Sequence, residues 1–311
     1  SNVQQGTNQF AQLGLGSKYL QRKNPTVVKA VEGAGVRLLA CGSQHTVVVD
    51  DDNRVWSCGS NDEGQLGRVT KRDTDDEAIP AIRKNPTVVK AVEGAGVRLL
   101  ACGSQHTVVV DDDNRVWSCG SNDEGQLGRV TKRDTDDEAI PAIVAGTPVR
   151  QAIRMITCGD SHTMMLCEGG VVWGWGIFRD TTNNGPGMGF VRVGRDMKEN
   201  SPVQIPGFEG GSVRKISSGD QHSLFLTSQG RIYACGCPHY GRLGIVGMKG
   251  RNSPVAQPTP ISEPRGSGRS SRIVERYVDV SAGQLHSVAV TKSGKVFAWG
   301  SGDDLQLGTA E

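Results

Sequence analysis

The chain has 311 residues, with 35 Lys and Arg against 33 Asp and Glu, a formal net charge of +2. That balance excludes a global field drawing the protein to nucleic acid or membrane, so any such contact has to come from local patches. The length admits two ordinary domains or one body built of repeats. Forty-two glycines and 5% aromatic residues fit many tight turns between short strands. No apolar run approaches the ~20 residues of a membrane-spanning helix.

From the amino end, residues 1–10 are polar and carry neither an initiator Met nor a signal-peptide core, so the chain is expected to be a fragment. A Gly-x-x-His signature then recurs five times, at Gly42/His45, Gly103/His106, Gly159/His162, Gly219/His222 and Gly283/His286. The histidines are separated by 61, 56, 60 and 64 residues, a period that marks a toroid or solenoid of repeats. Before each His, alternation through Val36/Leu39, Val97/Leu100, Ile153/Ile156, Val213/Ile216 and Tyr277/Val280 predicts a half-buried strand. A second strand follows the His, as in Thr46 to Val49. Eight residues past it stands Asn53, Asn114, Gly170, Gly230 or Gly294, which predicts a hairpin turn needing positive φ. A third strand carries Trp56, Trp117, Trp173, Tyr233 or Phe297 and ends on Gly59, Gly120, Gly176, Gly236 or Gly300.

With the Pro-flanked segments between units as fourth strands, the prediction is an all-β propeller of four-stranded antiparallel blades. Residues 1–311 read as one propeller domain with approximate repeats 6–21 (partial), 22–82, 83–143, 144–206, 207–262 and 263–311. Residues 22–82 and 83–143 are identical at all 61 positions, so any argument from repetition counts that unit once. Gly6 to Gly16 is the tail of a repeat, and Gly300 to Gly308 is a tail with no further head after it. The ring is therefore expected to be incomplete, with sheet edges exposed at both ends.

Internal comparison removes several chemistries. Cys41-x-x-x-His45 resembles a metal pair, but the Cys position is Ser218 and Ala282 in later copies while His stays. Cys58, Cys119 and Cys235 likewise align with Trp175 and Trp299. Zinc needs thiolate, imidazole or carboxylate, so these are packing positions and no metal is expected. The eight cysteines form no C-x-x-C knuckle and are expected to be reduced thiols of an intracellular protein. His45, His106, His162, His222 and His286 are expected to be structural, buried groups hydrogen-bonding across neighbouring strands. No nucleophile elbow, phosphate loop or His-Glu-x-x-His is present, so no covalent catalysis and no cofactor are expected.

The third copy departs from the others. Where they carry Gln-Leu-Gly or Arg-Leu-Gly, residues 178–190 read Phe-Arg-Asp-Thr-Thr-Asn-Asn-Gly-Pro-Gly-Met-Gly-Phe. Asn-Asn-Gly-Pro is strong turn chemistry. The insert is either a tolerated loop or a projecting hairpin used for recognition. Two basic stretches come after it: Arg242 to Arg251 with Lys249, and Arg265-Gly-Ser-Gly-Arg269-Ser-Ser-Arg272. Each favours phosphate or acidic-patch contact, with a solvated linker as the alternative.

Cys58 to Arg68 (Cys-Gly-Ser-Asn-Asp-Glu-Gly-Gln-Leu-Gly-Arg), Cys158 to Thr163, Trp175 to Gly185 and Val296 to Gly300 resemble the regulator of chromosome condensation family. Its namesake is the exchange factor for the small GTPase Ran. The resemblance runs from about residue 6 to the end, with one unit doubled. It implies a seven-bladed nuclear propeller that exchanges guanine nucleotide on Ran through a β-wedge while its other face docks on nucleosomes. By position, the wedge is Phe178 to Gly189, and the Ran-facing set is Asp160, Phe178, Arg179, Asp180, Asn183, Asn184, Gly185, Pro186 and Asp220. Arg251 falls in the histone-patch loop, and Arg265, Arg269 and Arg272 in the DNA-facing loop. The implied partners are Ran, histones and DNA phosphates, with chromatin as the location. The chain departs from the pattern at Gln9, where Asp is expected, at Gln221 after Asp220, in the longer wedge, and near Arg192. The rival reading is an interaction scaffold without exchange activity.

Overall fold

The computed structural model describes residues 3–16, 20–69, 82–132, 135–148, 150–180, 185–190, 198–209, 211–247, 254–262 and 276–308. It divides into two compact units, residues 1–150 and 151–311. Apart from single-turn 3₁₀ segments, the described regular structure is antiparallel β, as the repeat pattern predicts.

In the first unit, Val3–Thr7 pairs with Gln21–Val27. Two four-stranded meanders come next: Val36–Cys41, His45–Asp50, Val55–Ser60 and Ile82–Val88, then Val97–Cys102, His106–Asp111, Val116–Gly120 and Ala142–Ile143. The second unit holds the meanders Ile153–Cys158, His162–Cys167, Val172–Gly176, Glu199–Ile205 and Val213–Ser218, His222–Thr227, Ile232–Gly236, Val255–Pro260. A three-stranded sheet of Tyr277–Ala282, His286–Thr291 and Val296–Gly300 completes it. In repeats 83–143, 144–206 and 207–262 all four strands of a blade fall within one repeat, whereas the blade begun in 22–82 takes its outer strand, Ile82–Val88, almost wholly from the head of the next.

The doubled unit exposes a feature that local sequence leaves open. Ile82 and Ile143 are the same residue of the two identical copies, yet Ile82 pairs with Ser60 and Ile143 with Trp117. After Ile82 comes Arg-Lys-Asn-Pro-Thr-Val, which extends the outer strand. After Ile143 comes Val-Ala-Gly-Thr-Pro, and the strand stops. Val144 donates its N–H to the Val116 carbonyl at 2.8 Å, just as Val89 does to Val55 at 2.7 Å. The residues downstream of each copy therefore set the register of its outer strand.

All five predicted turn positions have positive φ: 60° at Asn53, 64° at Asn114, 82° at Gly170, 76° at Gly230 and 83° at Gly294. The second strand of the first four blades is buried along its whole length. Apolar cores form between successive blades: Val47, Val49, Val55, Val92, Val97 and Val109 in the first unit, Leu224, Leu226, Ile232, Tyr277, Val280 and Ala289 in the second.

The recurring Gly-x-x-His has a steric and a hydrogen-bonding cause. A Cβ on Gly159 would lie 2.0 Å from Cε1 of His162 and 2.5 Å from the Gly219 carbonyl of the next blade, so only glycine admits this approach. The imidazole then reaches across: His45 Nε2 lies 2.9 Å from Thr107 Oγ1, His162 Nε2 3.0 Å from Ser223 Oγ, and His222 Nε2 2.8 Å from Ser287 Oγ. Thr107 Oγ1 donates onward to the Gln65 carbonyl at 2.8 Å and Ser287 Oγ to the Arg242 carbonyl at 2.9 Å. The Thr107 and Ser287 hydroxyls each have one proton, already committed, so they accept from Nε2–H of His45 and His222 and fix that tautomer. His45, His106, His162 and His222 are fully buried, while His286 is half-buried.

Candidate functional site

Within each meander the turn between the first two strands and the connection after the third lie at one end of the sheet. In the second unit that end carries Asp160, Asp220 and the third-copy insert. Phe178–Asp180 pairs antiparallel with Gly185–Met188 as a separate two-stranded sheet, with Phe178 opposite Met188 and Asp180 opposite Gly185. The insert is thus a hairpin added to the blade, leaving the four-stranded order of its host intact.

The hairpin is rooted in aromatic packing. Phe178 and Phe190 have ring centroids 5.0 Å apart, and the Phe178 ring lies 4.5 Å from that of His162. Phe178, placed among the partner-facing residues by resemblance, is 1% exposed; it is an anchor and not a contact. Its apolar ring is worth more under Met188 and Phe190 than in water. The repeat histidine therefore serves twice, bridging blades and flooring the hairpin.

Beside this root, the Asp160 N–H donates to the Asp220 carbonyl at 2.9 Å. Gln221, buried at 3% exposure, donates Nε2–H to Asp160 Oδ2 at 2.8 Å and accepts the Arg179 N–H on Oε1. Burial, then the charge of Asp160, push the Asp220 carboxyl above its ordinary pKa, with Arg242 opposing. Arg242 does not belong to an exposed basic loop, as its position suggested. It is 2% exposed, donates Nε–H to the His239 carbonyl at 3.0 Å and stacks at 5.5 Å over Tyr240.

Asp160, Arg179, Asp220 and the hairpin backbone at Asp180, Gly185 and Pro186 thus share one end of the second unit. Asn183 and Asn184 lie outside the described residues, as do Lys249, Arg251, Arg265, Arg269 and Arg272. Gln221 was legible only as a departure, because its role depends on a neighbouring blade. A second arrangement was missed: Asp50 accepts from Trp56 Nε1 at 2.9 Å and pairs with Arg54 at 2.8 Å, and Asp111 repeats this with Trp117 and Arg115. Burial would raise the Asp50 and Asp111 carboxyls, but these bonds hold both below the ordinary value.

No group of His, Cys, Asp and Glu suited to a metal is present among the described residues. Burial pushes the Cys58, Cys119 and Cys158 thiols up to about 12, so they remain protonated packing groups.

A family model described as RCC1-like domain matches residues 80–311, and matches to the Regulator of chromosome condensation (RCC1) repeat cover 36–65 and 6–49. The chain belongs to this family. Among its RCC1 relatives is the ultraviolet-B receptor UVR8 of Arabidopsis thaliana, 29% identical over 308 residues, 98% of this chain and 62% of the receptor. The chain thus spans less than two thirds of that relative. The regulator of chromosome condensation of Mus musculus is 27% identical over 365 residues, covering 98% of this chain and 81% of its own. Among solved structures, Prp20p from Saccharomyces cerevisiae, studied for its binding to Gsp1p and histones, superposes with a TM-score of 0.62. It is 22% identical over 99% of this chain and 82% of its own, a likeness of fold. The RCC1 relatives therefore include a regulator of chromosome condensation and an ultraviolet-B receptor, and membership alone does not choose between such roles.

Proposed function

We propose that this chain is a guanine-nucleotide exchange factor for a Ran-type small GTPase, acting through the hairpin at residues 178–189. The observation that carries the reading is the hairpin's own two-stranded sheet, rooted on Phe178, Phe190 and His162 and braced by Gln221 against Asp160. A propeller blade needs no such addition to fold, since among the described residues the other four-stranded blades carry no added sheet. The mouse relative's name and the study of Prp20p with Gsp1p support the class of partner.

Exchange requires no covalent step. A rigid protein that binds the nucleotide-free GTPase more tightly than the loaded form weakens nucleotide affinity by that differential and no more. The hairpin competes with nucleotide phosphate for the GTPase's phosphate-binding loop, while Asp160 and Asp220 contact its basic surface. Chromatin docking through Arg251, Arg265, Arg269 and Arg272, and with it a nuclear location, belongs to the same proposal.

The test is stopped-flow release of labelled GDP from Ran, with the chain, its Asp180→Ala variant and its Asn184→Ala variant. Acceleration by the parent, reduced in the variants with unchanged thermal unfolding, supports exchange. Ran release unchanged by the parent refutes it. The receptor relative covers 98% of this chain and favours a scaffold as the second reading, for which Ran binding without acceleration is the expected result.

A further inference from the structure

We infer that Gln221 is a positioning residue that locks the hairpin to the Asp160 turn, so that the two present themselves to a partner as one rigid element. The position before the repeat histidine is occupied by Gln44, Gln105, Ser161, Gln221 and Leu285. Its carbonyl has the same task in every copy: it accepts the N–H of the residue after the third-strand glycine, from Ser60, Ser121, Ile177, Cys237 and Ser301. The side chain is different. Gln44 and Gln105 are half-buried, whereas Gln221 is 3% exposed, and it is the one with an added hairpin beside it. A buried primary amide has to satisfy both its ends. Here Nε2 binds the Asp160 carboxylate at 2.8 Å and Oε1 takes the backbone N–H of Arg179, in the middle of the first hairpin strand.

The consequence is mechanical. Arg179 and Asp160 belong to the blade of residues 153–205, while Gln221 comes from the next. The aromatic root fixes the hairpin's depth through Phe178, and Gln221 fixes its rotation, because a hydrogen bond to a strand amide is directional where ring packing is not. A protein that works by differential binding gains from such rigidity, since a hairpin ordered before encounter costs less on docking.

This inference rests on the exchange reading for its purpose, but its geometry is testable without it. In Gln221→Met, which keeps length and loses both bonds, amide hydrogen exchange at Arg179 is expected to run roughly two- to tenfold faster, with global unfolding little changed. Gln221→Glu keeps the acceptor for Arg179 and sets a carboxylate against Asp160, so it also loosens the amide. Gln221→Glu with Asp160→Asn restores a donor–acceptor pair in the reverse sense and is expected to return Arg179 to parental protection. An Arg179 amide unchanged in Gln221→Met, or loosened only in step with global stability, overturns the inference, as does failure of the reversed pair to restore protection. Ran–GDP release measured on Gln221→Met separates the two readings. A loosened amide with slower release supports both, and a loosened amide with release equal to the parent's refutes the positioning role. A parent that releases no nucleotide while Gln221→Met still loosens Arg179 refutes exchange and leaves the brace standing.

Discussion

Acid should unfold this protein well above the pH at which carboxylates protonate, because its blades are joined through neutral imidazoles. Burial holds His45 down to about 4 and His106 to about 3, and His222 likewise to about 3. The ordinary value is 6.5. The Nε2–H of His45 and of His222 is committed to a hydroxyl, and their Nδ1 atoms face no donor or acceptor among the described residues. A proton arriving at Nδ1 would create a buried donor with nothing to accept it. Between pH 6.5 and about 4 the unfolded chain therefore binds protons that the folded chain refuses, and stability falls as pH falls. Each such histidine loses about 2 kcal/mol between pH 7 and pH 5. The first unit, with His45 and His106, loses about 4 kcal/mol and the second, through His222, about 2 kcal/mol, against a typical domain stability of about 5–15 kcal/mol. Asp50 and Asp111 act in a separate window below the ordinary carboxylate value, so they do not obscure this one. Urea unfolding followed by tryptophan fluorescence at pH 7, 6 and 5 measures the loss, and potentiometry measures proton uptake on unfolding. A first unit that loses less than about 1 kcal/mol over those two pH units, or that takes up no protons on unfolding at pH 5, would refute the argument.

Three substitutions probe other links in the same chain of reasoning. Gly159→Ala places a methyl 2.0 Å from the His162 ring and 2.5 Å from the Gly219 carbonyl, and should cost about 3 kcal/mol in urea unfolding of the second unit. Leu305→Gly relieves a φ of 62° at a residue that is 78% exposed, and should raise stability by about 0.5–1 kcal/mol despite deleting an apolar side chain. Asp220→Asn removes a carboxyl that burial and Asp160 hold above its ordinary pKa. The parent is more stable with Asp220 protonated, so the variant should melt higher at neutral pH, with the gain shrinking as pH is lowered. A constant gain across the pH range would assign the effect to packing.

The elements that could be read from the chain are those whose cause is local. Positive φ at Asn53 and Gly294 comes from hairpin sterics within a few residues, and Cys58 is recognisable as a packing position because Trp175 and Trp299 stand in its place. The cut between blades matches the repeats at 83–143, 144–206 and 207–262 but falls one strand late for the twin 22–82, because a period fixes how long a unit is and not where the sheet is cut. Phe178 reads as a recognition aromatic on a charged insert, and only the neighbouring Phe190 and His162 turn it inward. Arg242 reads as part of a basic run, yet its backbone is captured by Ser287 and Trp299 of the next blade. The Asp50–Trp56–Arg54 arrangement was within reach of Asp-x-x-x-Arg-x-Trp, but the two copies that carry it are identical and so gave no independent control.

The outer strand shared across the boundary of the twin segments has a genetic consequence. Because the sheet of the first twin takes its outer strand from the head of the second, unequal crossing-over between the twin segments inserts or excises one whole sheet wherever the breakpoint falls. The sheet upstream finds Arg-Lys-Asn-Pro-Thr-Val at the head of whichever twin follows it, while the last twin keeps the short outer strand Ala142–Ile143. Copy number can thus change in a single recombination event without passing through a half-built sheet, which makes this stretch of the gene a place where closely related chains should differ by multiples of 61 codons.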